Sequence, residues 1–397
     1  MNKKISLGAT ISLVAIAAAI TLIITMSFTL ESFNGKISGI KELEENYKKL
    51  AEIDSRVRTN FNGTIDEDAI QDAIAQGYMA GLNDKYARYY SAEEYTAERL
   101  AGEGKLVGVG ITVSKEESGY IQITSINDNS PALEAGLKVD DIIVKVDGED
   151  VLKLEYDGAV SAIRGEEGEK VSITVRRGGE DIDFELTRKR IDIVSVTERV
   201  IDSIGYIRIS EFNSTTLEQF NEALKSVTDD NVTSIVFDVR NNGGGSVNSV
   251  VSVLDRILPE GDIAYAVYKS GEEEVLGTSD ADHIKLPMVV IVNENTASAA
   301  ELFAAAIRDY DKGKLIGVTT YGKGVMQNTY TLQDGSAITM TTAFYYPPSK
   351  NNYDGEGLKP DYEQDLNPEL VPKIGTLNDE EDAQLKKAIE VISASKN

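Results

Sequence analysis

Cysteine and tryptophan are absent from this chain of 397 residues, and histidine occurs once, as His283. Without cysteine the protein has no disulfide, no thiolate metal site and no cysteine nucleophile. A single histidine also excludes the multi-histidine sites that hold zinc. These absences exclude thiolate and histidine-rich metal sites, and the expectation for this chain is no metal and no cofactor. A catalytic centre would use the remaining hydroxyl, amine, amide or carboxylate groups.

Basic residues are scarce relative to acidic ones. The chain has 40 lysines and arginines against 66 aspartates and glutamates, for a formal net charge of −26. Nucleic-acid binding requires a basic face to meet the phosphates, so this balance argues against a nucleic-acid partner. The length exceeds that of one ordinary hydrophobic core and predicts two or three domains.

The N-terminus combines a short basic cap, "MNKK", with a run free of charge over residues 5–30. That run meets the ~20 residues that a membrane-spanning helix needs. With Glu31 on its far side, the charge pattern places the N-terminus inside the cell and the rest outside. The alternative is a cleaved signal peptide in residues 1–30. Both interpretations export the chain, either as a single-pass protein of the bacterial cell membrane with its catalytic part outside the cytoplasm or as a secreted protein.

Residues 31–100 form a predicted N-terminal helical region. Over residues 36–60, apolar side chains recur with heptad-like spacing at Ile40, Leu43, Tyr47, Leu50 and Val57, with Asp54 at one seam position. One interpretation is a helix that packs on its own domain, and the other is a self-association helix that makes a homodimer. A second helix is predicted from Asp66 to Leu82, with one apolar stripe at Ile70, Ile74, Tyr78 and Leu82.

The rest of the chain divides into three parts by the order of its predicted strands and helices. Residues 101–190 alternate short strand-like runs with glycine-rich turns, interrupted by one helix near residues 154–164, which predicts a small β-rich domain with a hairpin around Gly178 and Gly179. Residues 191–375 alternate apolar strands with helices and predict an α/β core that ends in a hairpin around Asp334 and Gly335. Residues 376–397 are charged and predict a peripheral tail.

Three loops follow three apolar strands of the predicted core, "RNNGGGS", "NENTASAAE" and "TYGKGVMQ". In open α/β sheets, ligands bind at the edge where such loops lie. The glycines of the first loop, residues 243–245, allow close approach of the backbone to a substrate and could direct N–H groups at an oxyanion. A phosphate-binding loop is excluded because no Gly-Lys-Ser or Gly-Lys-Thr follows.

Ser298 stands in the second loop at a turn from strand to helix, which is the geometry of an activated serine nucleophile. The amide of Ala299 would then be a free N–H at the start of a helix. The alternative is that Ser298 only caps that helix. His283 cannot serve as the base, because it precedes the strand that Ser298 follows, which places it roughly 20 Å away.

Lys323, between two glycines of the third loop, is the candidate base. A lysine in water has a pKa near ~10.4 and is protonated, but burial lowers that value by up to ~3–5 units. Gln327 could orient the amine without adding a charge that would favour the ammonium form. The alternative is a solvated loop lysine.

Taken in order, several motifs resemble the C-terminal processing peptidases, also called carboxy-terminal or tail-specific proteases. The matching segments are "LNDKYARYYSAEEY", "GVGI" with "SPALEAGLKVDDIIVKVDG" and "AIRGEEG", then "DVRNNGGG", "NENTASAAELFAAAIRD", "YGKGVMQ" and "GLKPD", from about residue 60 to 365. The resemblance implies a Ser–Lys serine peptidase with a multidomain α/β fold. Its core would be crotonase/ClpP-like, with layered β and α structure, an inserted PDZ domain and an N-terminal helical segment.

Residue by residue, the resemblance implies Ser298 as the nucleophile, Lys323 as the general base and Gln327 as its orienter. The backbone amides of Gly244 and Ala299 would form the oxyanion hole. The family usually has proline before its pair of glycines, where this chain has a third glycine. That departure leaves open which glycine amide points into the site.

The PDZ match implies recognition of protein or peptide substrates through a free C-terminus, which a PDZ groove binds as an added strand. The candidate carboxylate-binding residues are Gly108, Val109, Gly110 and Ile111. Ile111 and Val113 are expected to point toward an apolar C-terminal side chain. Arg164, in the loop after the PDZ helix, is a hypothetical link between peptide binding and catalysis, with a surface arginine as the alternative.

The expected function is therefore a serine endopeptidase that recognises protein C-termini through its PDZ domain and cleaves through an acyl-enzyme on Ser298. The alternative is a non-catalytic PDZ scaffold or regulator on a peptidase-like core. Hydrolysis of small esters without dependence on a free carboxylate would indicate a third class, an exported esterase.

Overall fold

A computed structural model describes Gly8, Thr21, Thr25, Met26 and residues 45–116, 118–127 and 130–394. The chain divides into two compact units, with Ile70 ending the first and Gln71 beginning the second. Apart from the four single positions, the predicted anchor or signal segment lies outside the described residues. No helix in the described part of the chain is long and apolar enough to cross a membrane.

Helix α1 of the first unit covers residues 45–60, so the helix predicted over 36–60 is confirmed for its described part. Its end is tied to the start of the next helix by Arg58, which donates to both carboxylate oxygens of Glu67 at 2.7 and 2.9 Å. Two apolar residues of the predicted heptad remain exposed, Tyr47 by 43% and Val57 by 36%. Their face is thus not covered by the described residues of this unit.

Helix α2 spans Glu67–Ala80, as the sequence predicts. The predicted apolar stripe is not its buried face, because Ile74, Tyr78 and Leu82 are all exposed. Met79 is the buried residue of this helix. The spacing of the apolar residues therefore predicts the helix correctly, but it does not predict which face of the helix is buried.

The second unit begins within α2 and continues with strand β1 (Arg88–Tyr90), helix α3 (Ala92–Gly102) and the inserted β domain. The elements of that domain and its two flanking strands are β2 (Lys105–Gly108), β3 (Ile111–Lys115), β4 (Ile121–Ile126), α4 (Pro131–Ala135), β5 (Ile142–Val146), β6 (Glu149–Asp150), α5 (Val151–Ile163), β7 (Lys170–Arg177), β8 (Glu180–Thr187) and β9 (Lys189–Asp192). Strands β2 and β9 pair antiparallel and form the entry and exit of the insertion.

The inserted domain is one antiparallel sheet in the order β3-β4-β5-β7-β8, with β6 paired to β5. Its core includes the fully buried side chains of Ile121, Ile143 and Ile173. The predicted hairpin is confirmed as β7 and β8, which pair along their whole length. The predicted helix is α5, which begins earlier than expected because the Asp150 side chain caps it by accepting from the N–H of Leu152.

The α/β core contains the elements from β10 onward. They are β10 (Val196–Ile201), β11 (Ile204–Ile209), α6 (Thr216–Asp229), β12 (Ser234–Asp238), α7 (Val247–Asp255), β13 (Gly261–Tyr268), β14 (Glu273–Ser279), β15 (Met288–Val292), α8 (Ala299–Asp309), β16 (Gly313–Gly317), β17 (Val325–Thr331), β18 (Ala337–Tyr346), β19 (Tyr362–Glu363), a 3₁₀ helix (Val371–Thr376) and α9 (Ala383–Ala394).

One sheet of the core runs in the order β10-β11-β12-β15-β16-β19. All of its pairs from β11 onward are parallel. Every residue of β12 and β15 is buried, as the unbroken apolar runs predict. Because these strands are parallel, the loops that follow β12, β15 and β16 meet at one edge of the sheet.

The second sheet of the core contains β1, β18, β13 and β14, with β17 paired to β18. The hairpin predicted around Asp334 and Gly335 is confirmed, since β17 and β18 pair antiparallel on either side of it. The first strand of this sheet, β1, comes from the segment before the inserted domain. The core is therefore assembled from chain on both sides of the insertion.

The prediction of a peripheral C-terminal tail is wrong for the described part of residues 376–397. Helix α9 covers one face of the parallel sheet, with Leu385, Ala388 and Ile392 buried. Just before it, Asp382 accepts from the buried guanidinium of Arg240 at 2.7 and 2.9 Å. The apolar residues of this helix recur at helical spacing, but they stand among charges that conceal the pattern.

Candidate active site

The three predicted loops converge at the carboxyl edge of the parallel sheet. The N–H of Ala297, in the serine loop, donates to Asn242 O in the glycine loop at 2.9 Å. The N–H of Tyr321, in the lysine loop, donates to Thr296 O in the serine loop at 3.0 Å. Backbone hydrogen bonds therefore fix the three loops to one another, independently of their side chains.

Ser298 occupies the turn between β15 and α8 with φ 58° and ψ −123°. Positive φ in a residue other than glycine costs of order 1–3 kcal/mol and persists where the surrounding structure imposes it. A strained turn from strand to helix is also how the α/β-hydrolases present their serine nucleophile. The backbone of Ser298 thus has the geometry predicted for a nucleophile.

Glu301 ties the serine loop to the lysine loop. This carboxylate is fully buried, and it accepts from the N–H groups of Ser298 (2.9 Å), Gly322 (2.7 Å) and Lys323 (2.8 Å) and from the hydroxyl of Thr320. Burial raises the pKa of Glu301, and these hydrogen bonds oppose that rise. Sequence reasoning missed this role, although a glutamate three residues after a helix-start serine is a recognisable capping pattern.

The glycine loop lies directly against the serine. Gly244 has φ +104°, and a Cβ on it would lie 2.7 Å from Ser298 Cβ, so the approach requires glycine. The structure differs from the prediction for the amide of Gly244, which donates to Asn242 Oδ1 at 2.8 Å because that side chain closes a tight turn. The N–H groups of Gly243 and Gly245 donate to no described residue.

Ala299 is the first residue of α8 and is buried. Its backbone N lies 2.9 Å from the position that a Cβ on Gly244 would occupy. At the first position of a helix, the N–H has no acceptor within the helix. The structure therefore places this N–H between the serine and the glycine loop, where the sequence predicts it.

Lys323 is half-buried, and its pKa lies below the usual range. Burial is the largest cause, and the ammonium of Lys85 adds to it, while the negative charges of Asp84 and Glu301 work in the opposite direction. A lowered pKa favours the neutral amine that a general base needs. The prediction that Lys323 acts as a base required its amine to be partly buried, and the structure shows this burial.

The amine of Lys323 lies beside the ring of Tyr86. Among the described side chains, no hydrogen bond joins Lys323 Nζ to Ser298 Oγ, and the ammonium lies 4.5 Å from the centroid of the Tyr86 ring. Tyr86 belongs to the segment between α2 and β1, which sequence reasoning did not assign to the site. The two predicted partners are thus on adjoining loops without a hydrogen bond between their side chains.

Gln327 does not contact the lysine in the way predicted. Its Nε2 donates to Thr341 Oγ1 at 3.2 Å and to Val325 O at 3.4 Å. The reason is the register of the hairpin, which places Gln327 directly opposite Thr341. Thr341 in turn donates to Asp84. The glutamine is therefore joined by hydrogen bonds to the segment that contains Asp84 and Tyr86, the residue whose ring Lys323 contacts.

The loop before β3 in the inserted domain has backbone N–H groups without a hydrogen-bond acceptor among the described residues, on two residues that are buried. The carbonyl groups of Val109 and Gly110 accept from the N–H groups of Ala132 and Asn127, both at 2.9 Å. In the described part of the chain, the N–H groups of the same two residues have no acceptor. Free N–H groups on a tight turn are the arrangement that binds a carboxylate.

The expected peptide groove lies between β3 and α5. Gly108 ends β2 and Ile111 begins β3, while Ile111 and Val113 pack against the core of the domain. Helix α5 is broken at Glu155, with φ 60° and ψ 173°. The next residue, Tyr156, donates its hydroxyl to Val113 O at 3.2 Å. A side chain of the groove therefore already occupies one carbonyl of β3.

Arg164 ends helix α5 and is exposed, and no described side chain or carbonyl binds its guanidinium. Arg188 fixes that end of the helix instead. It is buried, and it donates to Ala162 O at 2.8 Å and Ile163 O at 3.0 Å. Sequence reasoning missed Arg188, because it stands in a run of basic residues and nothing in that run distinguishes it as buried.

His283 lies before β15, with its Nδ1 3.1 Å from Ala281 O, while Ser298 follows the other end of that strand. The histidine is therefore not part of the site. No cluster of acidic residues and histidine in the described ranges could hold a metal ion.

Comparison with known proteins identifies the family. Residues 203–364 match the model of Peptidase family S41, and residues 122–177 match a PDZ domain model. The chain is 31% identical over 366 residues to the "Probable CtpA-like serine protease" of Staphylococcus aureus (strain COL), covering 90% of this chain and 72% of that protein. The chain belongs to peptidase family S41.

Other similar proteins agree with this assignment. The "Probable CtpA-like serine protease" of Staphylococcus haemolyticus (strain JCSC1435) is 31% identical over 355 residues, covering 88% of this chain and 70% of that protein. The solved structure of a photosystem II D1 C-terminal processing protease matches with a TM-score of 0.50 and 27% identity, covering 82% of this chain and 86% of that one.

Membership of family S41 makes this chain a serine-type endopeptidase and confirms the predicted family and fold class. The S41 match covers most of the α/β core, and the PDZ match covers the middle of the inserted domain. The N-terminal helical segment is also present. The family match by itself assigns no role to an individual residue.

Proposed function

We propose that this S41 peptidase cleaves peptide bonds with Ser298 as nucleophile and Lys323 as general base, on substrates that its PDZ domain recognises by a free C-terminus. The observation that carries the proposal is the convergence of three loops at one sheet edge. There, a serine at positive φ and a lysine with lowered pKa are both hydrogen-bonded to the buried Glu301 through their N–H groups.

In the proposed mechanism, Lys323 leaves the Tyr86 ring as a neutral amine and takes the proton of Ser298 Oγ, which attacks the peptide carbonyl carbon. The C–N bond then breaks, and the leaving amine receives the proton from Lys323. Water, losing a proton to Lys323, then attacks the acyl carbon. The ester C–O bond breaks, the acid is released, and Lys323 returns the proton to Ser298 Oγ. The oxyanion is held by the N–H of Ala299 and by an amide of the glycine loop.

Recognition of a C-terminus is supported by the free N–H groups of Val109 and Gly110, which suit a carboxylate. The similar solved structure is named as a C-terminal processing protease, which fits substrates of this class. The coupling role of Arg164 and the orienting role of Gln327 stay predictions. Gln327 would have to exchange its bond to Thr341 for one to the lysine.

Location and assembly follow from the N-terminal region. The charge-free run of residues 5–30 supports an exported chain, anchored to the bacterial cell membrane or secreted. The exposed apolar side chains of α1, Tyr47, Ile53 and Val57, support a homodimer, because association of two such helices would remove these side chains from water.

The test compares cleavage of one protein substrate carrying an apolar C-terminal tail by wild type, Ser298→Ala, Lys323→Ala and a surface control, Ser349→Ala. We expect both site variants to lose at least about 10³-fold in kcat/KM, and the control to match wild type. Amidating the substrate's C-terminus should slow the wild type. Equal proteolysis by wild type and Ser298→Ala would contradict the dyad and favour a non-catalytic scaffold.

A further inference from the structure

The segment Asp84–Tyr86 lies between α2 and β1, far in sequence from the three catalytic loops. Asp84 fastens it to β18, accepting from the N–H of Thr341 at 2.9 Å and from the Thr341 hydroxyl at 3.2 Å. Asp84 also accepts from the N–H of Tyr86 at 3.0 Å, which makes the segment a tight turn. The tyrosine ring is therefore held in place rather than free on the surface.

Two ammonium groups meet at the ring of Tyr86. Lys323 Nζ lies 4.5 Å from its centroid, and Lys85 Nζ lies 4.8 Å from it. Lys85 Nζ also lies 5.3 Å from the centroid of Tyr321, two residues before Lys323. An aromatic ring attracts each cation, but the two cations repel each other, and the repulsion disfavours the charged form of the more buried one.

Other titratable groups face Lys323 from every side. Glu301 on α8 accepts from its N–H, and Asp84 approaches from the segment before β1. Tyr345 on β18 donates its hydroxyl to Lys323 O, and Asp354 accepts from the N–H of the next residue, Gly324, at 3.0 Å. Lys85 is thus the positive neighbour in a site whose other charged neighbours are acidic.

We propose that Lys85 is a positioning residue of the dyad, whose ammonium, held over the Tyr86 ring, repels the Lys323 ammonium and keeps Lys323 ready to act as a base. This proposal rests on the proposed role of Lys323. It adds to the site a residue that contacts neither the substrate nor Ser298, and that acts through charge alone.

The direction of the effect follows from the charges. Burial is the largest cause of the lowered pKa of Lys323, and Lys85 is the next. A general base works only when neutral, so activity rises with pH as Lys323 loses its proton. Removing the Lys85 charge raises the pKa of Lys323, moves the acidic limb of the pH profile to higher pH and lowers activity at neutral pH.

The experiment measures kcat/KM against pH for wild type, Lys85→Arg, Lys85→Gln and Lys85→Glu. The matched control for losing one surface charge is Lys225→Gln, at an exposed position of helix α6. We expect Lys85→Arg and the control to match wild type. At neutral pH, Lys85→Gln should lose roughly two- to five-fold, the effect of a partly screened charge, and Lys85→Glu should lose more. At high pH all should converge.

Salt provides a second measurement on the unmodified protein. Because Lys85 is exposed, added salt screens its charge, so the acidic limb of wild type should move to higher pH as salt increases, and that of Lys85→Gln should move less. Equal profiles for Lys85→Gln and wild type, while Ser298→Ala and Lys323→Ala remain inactive, would overturn the role of Lys85 alone. Full activity of Lys323→Ala would instead overturn the dyad.

Discussion

At the scale of single residues, the site depends on what backbone atoms can reach. Ser298 adopts a strained positive φ, and Gly244 approaches it so closely that no side chain fits between them. Glu301 holds the serine and lysine loops in register by accepting from N–H groups of both. These backbone contacts position the two loops that carry Ser298 and Lys323, so the proposed roles of both side chains depend on them.

Gly244→Ala is expected to lower kcat/KM by on the order of 10²-fold, because a methyl group 2.7 Å from Ser298 Cβ must displace the serine. The positive φ of Gly244 adds strain to any other residue. The measurement is steady-state proteolysis together with thermal unfolding, to separate a displaced site from an unfolded protein.

The matched control is Gly243→Ala, one residue earlier, where an added Cβ would have nothing within 4 Å. This variant keeps the backbone N–H and should retain activity within about two-fold, a surface-like change. Similar losses in both variants would contradict the argument from close approach, and would indicate that loop flexibility matters more than space beside Ser298.

At the scale of elements, the inserted domain meets its expected ligand along β3 and α5. Strand β3 lies at the edge of its sheet, and the broken helix α5 brings Tyr156 to that strand. A peptide that adds as a strand needs the carbonyl groups of the edge, and the hydroxyl of Tyr156 already occupies that of Val113. The proposed binding of a peptide at this edge would therefore compete with an internal hydrogen bond.

Tyr156→Phe is expected to tighten binding of a peptide with a free C-terminal carboxylate by roughly two- to ten-fold, since one hydrogen bond of about 0.5–1.5 kcal/mol no longer competes. The ring is retained, so its packing on the domain core is preserved. Titration calorimetry in a Ser298→Ala background measures the affinity without cleavage of the peptide.

Thr124→Val is the companion variant, because it removes a similar hydroxyl bond to β3, from Thr124 Oγ1 to Thr112 O at 3.1 Å, on the side of β4. Its affinity for the peptide should equal that of the parent. Weaker binding by Tyr156→Phe would show that the hydroxyl assists the peptide rather than competing with it.

At the scale of the whole molecule, the last helix belongs to the core. Arg240, fully buried, pairs with Asp238 at the end of β12 and with Asp382 just before α9. Arg240 begins the turn that leads into the glycine loop. The C-terminal segment is therefore joined by charge to the strand that positions the candidate oxyanion site.

Asp382→Asn is expected to lower the free energy of unfolding by about 2–3 kcal/mol, because a buried guanidinium loses a charged partner while Asp238 still neutralises part of its charge. Chemical denaturation measures the change. Glu380→Gln, nearby and highly exposed in its pair with Lys386, should change it by less than about 0.5 kcal/mol. Equal small changes in both would mean that the buried pair contributes no net stability.

Local pattern was sufficient for much of the fold. Strands β12, β15 and β16 are short apolar runs, and the hairpins β7–β8 and β17–β18 have glycine turns between alternating strands. Helix α9 was misjudged because its three buried residues stand among charges. The burial of an amphipathic face depends on whether another surface lies opposite to it, and local sequence does not contain that surface.

The sequence by itself determined the family and the order of the three loops, and it was sufficient to propose Ser298 and Lys323 as nucleophile and base, because motif order and residue type are properties of the chain. Tertiary structure decided that Glu301 joins the loops, that the amide of Gly244 turns to Asn242 and that Lys85 and Tyr86 face Lys323. These contacts join residues brought together by strand register, loop geometry and packing, and no spacing along the chain specifies them.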